Sequence, residues 1–71
     1  MLETRDCAAV VNERRNEIGM TVRALSKKTG IAENALYNIF AGSRKMTASE
    51  LLVLSAELNL VFDDYVCAKA V

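Results

Sequence analysis

The sequence predicts an all-α protein, built as a compact domain of four or five short helices. Its 71 residues include no Pro and three Gly, which lie 11 and 12 residues apart. Between these glycines, apolar residues recur every three or four positions, as they do along one face of a helix. No alternating apolar and polar run is long enough to predict a strand. Short helices with very short connections must pack against one another to bury their apolar faces.

Each predicted helix has a recognisable beginning or end. Glycines end helices one and three, and Thr21 is a good N-cap for helix two. The stretch "TASE" has the spacing of a capping box, in which a Thr hydroxyl and a Glu carboxylate satisfy free backbone N–H groups reciprocally. The predicted bounds are 4–18, 22–29, 32–41 and 48–58, with a short fifth helix within "LVFDDYV".

The apolar stripe of each helix identifies the residues expected to face inward. Arg14 and Arg15 follow core-like positions in helix one, and we expect their stems to lie on the domain surface. The residues expected inside are Cys7, Val11, Ile18, Val22, Leu25, Ser26, Ala35, Leu36, Ile39, Leu51, Leu54 and Leu58, with Ala8, Val10, Phe40 and Leu52 beside them.

Length and composition restrict the class of protein. A chain of this length forms one domain, predicted as residues 1–71. No apolar run is long enough for a membrane span and the N-terminus lacks a signal-peptide pattern, so the expected compartment is the cytoplasm. With no His and only two Cys, neither a metal site nor a cofactor is expected. Cys7 and Cys67 are expected to be reduced, and a disulfide between them is the alternative.

The charges are unevenly distributed although the formal net charge is zero. Residues 21–46 hold five basic residues and one acidic residue. Residues 47–71 hold one basic residue and four acidic ones. The basic middle segment predicts an anionic partner.

The segment between helices two and three has the pattern of a helix-turn-helix unit. Ser26 is small where the two helices would cross, and Gly30 tolerates a left-handed backbone at the corner. Ile31 follows as an apolar plug. Together with Leu25, Leu36 and Ile39, these positions favour two helices at a steep angle, of which the second is free to enter a DNA major groove.

At these residues the sequence resembles the Cro/repressor-type (XRE-like, lambda-repressor-like) helix-turn-helix proteins of phages and bacteria. The resemblance runs from Val11 to Val66. It includes the Gly-Met-Thr entry to helix two, the Gly-Ile corner, the Gly-Ser-Arg-Lys loop and the Leu-rich helix four. It implies a five-helix domain that binds specific DNA sequences, usually as a dimer, and regulates transcription. Residues 67–71 would pack on the domain or form a dimer contact.

The sequence departs from the pattern of that family at four positions. Val22 stands where a Gln commonly contacts the DNA backbone, and Ala32 stands where Ser or Thr often caps helix three. Arg14 replaces an aliphatic residue, and Thr29 replaces a common Leu just before the corner.

The resemblance places the outer face of helix three against base edges. Asn pairs well with adenine, and Glu accepts a hydrogen bond from cytosine. The residues expected to contact bases are Ala32, Glu33, Asn34, Tyr37 and Asn38. Helix three has no Lys or Arg, which argues against guanine recognition by arginine and favours recognition through Asn.

Phosphate contacts would come from residues on either side of helix three. These contacts position a protein and supply the salt-sensitive part of its affinity. The residues expected to make them are Thr21, Arg23, Lys27, Lys28, Arg44 and Lys45.

The favoured function is therefore a sequence-specific regulator of transcription, with repression as the favoured role. Its predicted partner is double-stranded DNA with a palindromic operator, bound by a homodimer, and no membrane or small-molecule ligand is expected. The alternative is a helix-turn-helix module for protein contact, such as an antitoxin or antirepressor, favoured by Val22, Glu33 and zero net charge. An enzyme is the weakest hypothesis, because the sequence has no His and no Gly-rich phosphate loop.

Overall fold

A computed structural model describes the backbone of residues 2–68 and the side chains of residues 5–66. Within these residues the chain forms four α-helices, one 3-10 helix and two short strands. The elements are β1 Leu2–Thr4, α1 Cys7–Glu17, α2 Val22–Thr29, α3 Glu33–Ala41, α4 Ala48–Glu57, the 3-10 helix Phe62–Tyr65 and β2 Val66–Ala68. The all-α prediction is confirmed, because the helices provide the core of the domain.

The two ends of the described chain pair as an antiparallel ribbon, which the sequence pattern did not predict. Glu3 of β1 lies opposite Cys67 of β2, and the Arg5 backbone N–H donates to the Tyr65 carbonyl at 2.6 Å. Helix α1 consequently begins at Cys7 instead of residue 4. Its N-cap is Asp6, whose carboxylate accepts the Ala8 N–H at 3.1 Å. Strands of three residues are too short to leave an alternating pattern in the sequence.

The predicted fifth helix is a single 3-10 turn. The Asp64 carboxylate accepts the Val61 N–H at 2.7 Å and so satisfies the free N-terminus of the turn. The hydroxyl of Tyr65 lies 2.6 Å from that of Ser55 on α4, and burial raises the pKa of the Tyr65 phenol. The side chains of the predicted tail, residues 67–71, lie outside the described residues.

Of the sixteen residues that the helical stripes predicted, eight are buried and six are half-buried. Two predictions were wrong: Ile18 is 52% exposed and Leu52 is 71% exposed. Ile18 is the C-cap of α1, so it lies beyond the last turn that packs on the core. Leu52 is turned away from the buried stripe of α4. The buried residues are Val10, Val11, Val22, Leu25, Leu36, Ile39, Leu54, Leu58 and Leu60.

Arg14 and Arg15 do more than lie along the surface. The Arg14 Nη1 donates to the carbonyls of Leu58, at 3.0 Å, and Asn59, at 3.3 Å, and so satisfies the C-terminus of α4. Its Nη2 lies 3.4 Å from Asp64. Arg14 therefore connects α1 with the turn after α4, where Asn59 has a left-handed backbone with φ 55°.

Arg15 closes the turn that leads into α2. Its Nη1 donates to the Met20 carbonyl at 2.8 Å, and its guanidinium carbon lies 5.7 Å from the centre of the Phe40 ring on α3. This contact is a cation–π interaction between α1 and α3. No helix within residues 2–68 combines the length and apolar character needed to cross a membrane.

Candidate nucleic-acid interface

The corner between α2 and α3 is held by hydrogen bonds between Gly30, Ile31 and the second half of α2. Gly30 has a left-handed backbone with φ 78°, which a residue with a Cβ adopts at a cost, and its N–H donates to the Ser26 carbonyl at 2.9 Å. The Ser26 hydroxyl donates to the Ile31 carbonyl at 2.6 Å. The Thr29 hydroxyl donates to the Leu25 carbonyl and accepts the Ile31 N–H. The unusual Thr29 thus stabilises this corner.

Helix α3 has one face in the core and one face in solvent. Leu36 and Ile39 are almost completely buried, and they hold the helix against the domain. The opposite face carries Glu33, Asn34, Tyr37 and Asn38, all exposed, with Ala32 exposed at the N-cap. Among the described residues, the polar side chains of this outer face make no hydrogen bond to another part of the chain. All five residues predicted to contact bases therefore lie together on an accessible surface.

The connection between α3 and α4, residues 42–47, is tied to both helices. Gly42 ends α3 with φ 83°, and the backbone N–H groups of Ser43 and Arg44 both donate to the Asn38 carbonyl, at 2.9 and 3.3 Å. At the other end, Thr47 and Glu50 form the predicted capping box of α4. The Thr47 hydroxyl accepts the Glu50 N–H at 3.1 Å, and the Glu50 carboxylate accepts the Thr47 N–H at 2.9 Å.

Two of the predicted phosphate-contact residues form ion pairs within the domain. Arg44 makes a two-pronged contact with Glu50, with Nη1 to Oε1 at 3.1 Å and Nη2 to Oε2 at 2.9 Å. The Lys28 Nζ lies 3.7 Å from the Glu57 carboxylate. Glu50 and Glu57 are near opposite ends of α4, about 10 Å apart along its axis. Lys28 and Arg44 are therefore paired with carboxylates at different ends of α4.

The other predicted phosphate-contact residues are exposed. Arg23, Lys27 and Lys45 form no ion pair with any described residue, so their full charge faces solvent. The Thr21 hydroxyl oxygen accepts the Ala24 N–H at 3.1 Å as the N-cap of α2. Its own hydrogen remains available for donation to an anion.

The contact with Arg44 changes the protonation behaviour of Glu50. The Arg44 guanidinium, together with the Thr47 backbone N–H, holds the pKa of the Glu50 carboxyl below its ordinary value of 4.5. Burial opposes this effect but is the smaller influence. The carboxylate is therefore charged at neutral pH, and the ion pair with Arg44 is intact.

The sequence pattern does not predict either of the two acidic partners, Glu50 and Glu57. It predicts Glu50 only as part of the capping box and indicates no contact for Glu57. The sequence does carry a signal for Glu50, because the capping box fixes its carboxylate in the first turn of α4, six residues after Arg44. No signal in the sequence linked Glu57 with Lys28, which are 29 positions apart and meet only because α2 packs on α4.

Metal ligation and a groove for a small ligand are two other kinds of site that such a domain can carry. Among the residues that the structure describes, no group of three His, Cys, Asp or Glu side chains is close enough to hold a metal ion. An open groove of about 780 Å³ lies between the start of α1 and the end of α3. It is lined by acidic residues, Asp6 and Glu13, and by basic ones, Arg44 and Lys45, so it has no single preferred charge.

The fold and this surface define a helix-turn-helix protein whose second helix presents an accessible polar face. A protein-family model described as helix-turn-helix matches residues 11–64, which is most of the chain. The chain therefore belongs to the XRE/Cro-like helix-turn-helix family, whose members bind DNA, and the resemblance stated above is confirmed. It is a DNA-binding helix-turn-helix regulator. Neither a search of curated proteins nor a search of solved structures found a match.

Proposed function

We propose that the protein is a sequence-specific repressor that inserts α3 into the major groove of a palindromic operator. The observation that supports this most strongly is the accessible outer face of α3, with exposed basic residues in the segments that precede and follow it in the chain. A polar helix face that makes no side-chain hydrogen bond to any described residue is suited to hydrogen bonding with base edges. Occupying an operator in the cytoplasm would exclude the transcription machinery from the same site.

In this proposal, base recognition depends on amide side chains. Asn34 and Asn38 are four residues apart and so lie on the same side of α3, where each can pair with an adenine. Glu33 in the first turn can accept from a cytosine amino group, and Tyr37 can contact a thymine methyl or a phosphate. Ala32 is small enough to allow close approach and to contact a thymine methyl.

The phosphate contacts in this proposal come from two groups of residues. The first group belongs to α2 and its N-cap: Thr21, Arg23, Lys27 and Lys28. The second group, Arg44 and Lys45, precedes α4. Val22 is buried in the core, so it cannot replace the backbone-contacting Gln that the family commonly has. Arg23, which is exposed beside it, is the basic residue best placed to compensate.

A homodimer completes the proposal. Two copies would place two α3 helices about 34 Å apart on one face of the duplex, which matches one turn of DNA and requires a palindromic site. Leu52 and Phe62, each 71% exposed, are candidate residues for the contact between the two copies, because large apolar side chains in solvent favour protein contact.

Binding to random duplex DNA over a series of salt concentrations tests this function. We expect the affinity to fall steeply with salt, since each phosphate contact releases counterions. Replacing Arg44 and Lys28 together by Ala should lower the salt dependence by roughly one unit of slope for each lost contact. Arg5→Ala is the matched control, because it removes one positive charge from a residue paired with Glu13 on α1 and should leave the slope unchanged.

The alternative function is contact with another protein, as in an antitoxin or antirepressor. The exposed Leu52 and Phe62 favour it as well as they favour a homodimer. If the protein fails to bind random DNA even at low salt, the DNA proposal is wrong and the protein-contact function is preferred. Selection of bound sites from a random pool of duplexes distinguishes the two further, because a recovered palindrome would also report the dimer.

A further inference from the structure

Arg44 is the most firmly oriented of the predicted phosphate-contact residues. Its guanidinium makes two parallel hydrogen bonds to Glu50, an arrangement that fixes the plane of the group as well as its position. By contrast, Lys28 makes a single contact of 3.7 Å with Glu57, and its side chain is more than half exposed. Such an exposed pair contributes little and opens readily.

The Glu50 carboxylate is held in place by contacts with Thr47 as well as by its contact with Arg44. Its Oε1 accepts both the Thr47 backbone N–H and the Arg44 Nη1, and its own N–H donates to the Thr47 hydroxyl. Only 16% of the side chain is exposed. The carboxylate is therefore a fixed anchor, and the orientation of Arg44 follows from the N-terminus of α4.

The backbone of Arg44 is anchored to the proposed recognition helix. Its N–H donates to the Asn38 carbonyl, and Asn38 is one of the residues on the outer face of α3. The guanidinium is thus held between the end of α3 and the start of α4, at a defined place relative to the surface that would meet the bases.

The pairing with Glu50 leaves most of the hydrogen-bonding capacity of Arg44 unused. A guanidinium has five N–H donors, of which Glu50 takes two, so about three remain. One Arg can therefore contact the carboxylate and a phosphate at once. Without Glu50, the long side chain would have to be ordered when DNA binds, which weakens association.

We propose that Glu50 is a positioning residue for DNA binding, which holds the Arg44 guanidinium ready for a phosphate of the bound duplex. This inference rests on the proposed DNA-binding function. It assigns to an acidic residue a favourable effect on binding to a polyanion. The negative charge of Glu50 by itself would weaken DNA binding, since a carboxylate near DNA repels the phosphates.

The test is the sign of the effect of Glu50→Gln on binding to random duplex DNA at low salt. Gln also serves at this position of a capping box, so the fold is retained, and thermal unfolding checks this. The substitution removes a negative charge, and electrostatics alone would strengthen binding. We expect binding to weaken instead, by about two- to tenfold, because Arg44 is no longer held.

Glu57→Gln is the matched control, because it removes the same charge from the other end of α4. It releases Lys28 and should leave the affinity unchanged or raise it. A second check combines Glu50→Gln with Arg44→Ala. If Glu50 acts through Arg44, adding Glu50→Gln to Arg44→Ala should produce no further weakening.

The outcomes separate this inference from the function on which it rests. No binding of the unmodified protein to random DNA would overturn the proposed function itself. Binding by the unmodified protein, combined with equal or tighter binding by Glu50→Gln, would overturn only the role of Glu50. Weakening by Glu50→Gln that persists undiminished in the Arg44→Ala background would also overturn it, because the effect would then not pass through Arg44.

Discussion

Arg14 and Arg15 on α1 and Arg23 and Lys27 on α2 are all positively charged. The two pairs differ in the hydrogen-bond partners of their N–H groups. Arg14 and Arg15 donate to backbone carbonyls and side chains of their own domain. Arg23 and Lys27 are exposed and form no ion pair with any described residue. A positive charge by itself therefore does not identify the surface for a nucleic acid. A basic residue is a candidate for binding a nucleic acid when its N–H donors are not already bonded within the domain.

Of the predicted effects, the loss of stability on replacing Arg14 should be the largest, and it tests the difference between the basic residues of α1 and α2. Arg14→Ala leaves the Leu58 carbonyl at the end of α4 without its donor, so we expect the free energy of unfolding to fall by about 1.5–3 kcal/mol. Urea unfolding measures it. Arg23→Ala is the control, because an exposed residue of this kind should change stability by less than about 0.5 kcal/mol. A similar fall in the free energy of unfolding in both variants would mean that the contacts of Arg14 do not stabilise the domain.

Replacing the amides of α3 should affect binding rather than stability. Asn34→Ala and Asn38→Ala should each weaken binding to a selected operator by about 1–3 kcal/mol, while binding to random DNA stays the same. Titration of both duplexes with each variant measures this difference. Asn16→Ala on α1, whose side chain accepts from Arg15, is the control and should preserve operator binding. Equal losses on operator and random DNA would contradict base recognition by the amides.

The smallest effect concerns Glu50 and pH. Its folded-state pKa lies below 4.5, so its contribution to stability is fully present above about pH 4.5 and is lost as the pH falls through the folded-state pKa. The stability difference between the unmodified protein and Glu50→Gln should therefore be constant from neutral pH to about 4.5 and should shrink below it. Urea unfolding of both proteins at a series of pH values from 7 to below 4.5 measures this difference. A difference that stays constant well below that pH would mean that the carboxylate gains nothing from Arg44.

The helices and the corner could be predicted because local signals specify them. Gly30 and Gly42 supply left-handed backbones, and Thr47 with Glu50 closes a capping box, so each signal lies within a few residues of the feature it determines. The apolar stripes then identified Leu25, Leu36 and Leu54 as core residues. The misplaced residues, Ile18 and Leu52, lie at the end and at the edge of such a stripe, where periodicity is least informative.

The sequence predicts which residues of the candidate site are exposed, but it does not predict the long-range ion pairs and hydrogen bonds of the basic residues. The outer face of α3 follows from helical periodicity once its inner face is known. The pairing of Lys28 with Glu57, and the contacts of Arg14 with the turn after α4, join residues distant in sequence. No local pattern encodes such contacts, because they depend on how the helices pack.

The sequence by itself determined the helical class, the corner at Gly30 and Ile31, the family, and the polar face that α3 presents. These properties depend on periodicity, capping and turn chemistry, which act over a few residues. Only the tertiary structure decided which charges remain available, since packing brings Glu57 to Lys28 and Arg14 to the end of α4. It also decided that the ends pair through β1 and β2, because strands so short are stable only where another part of the chain is held beside them.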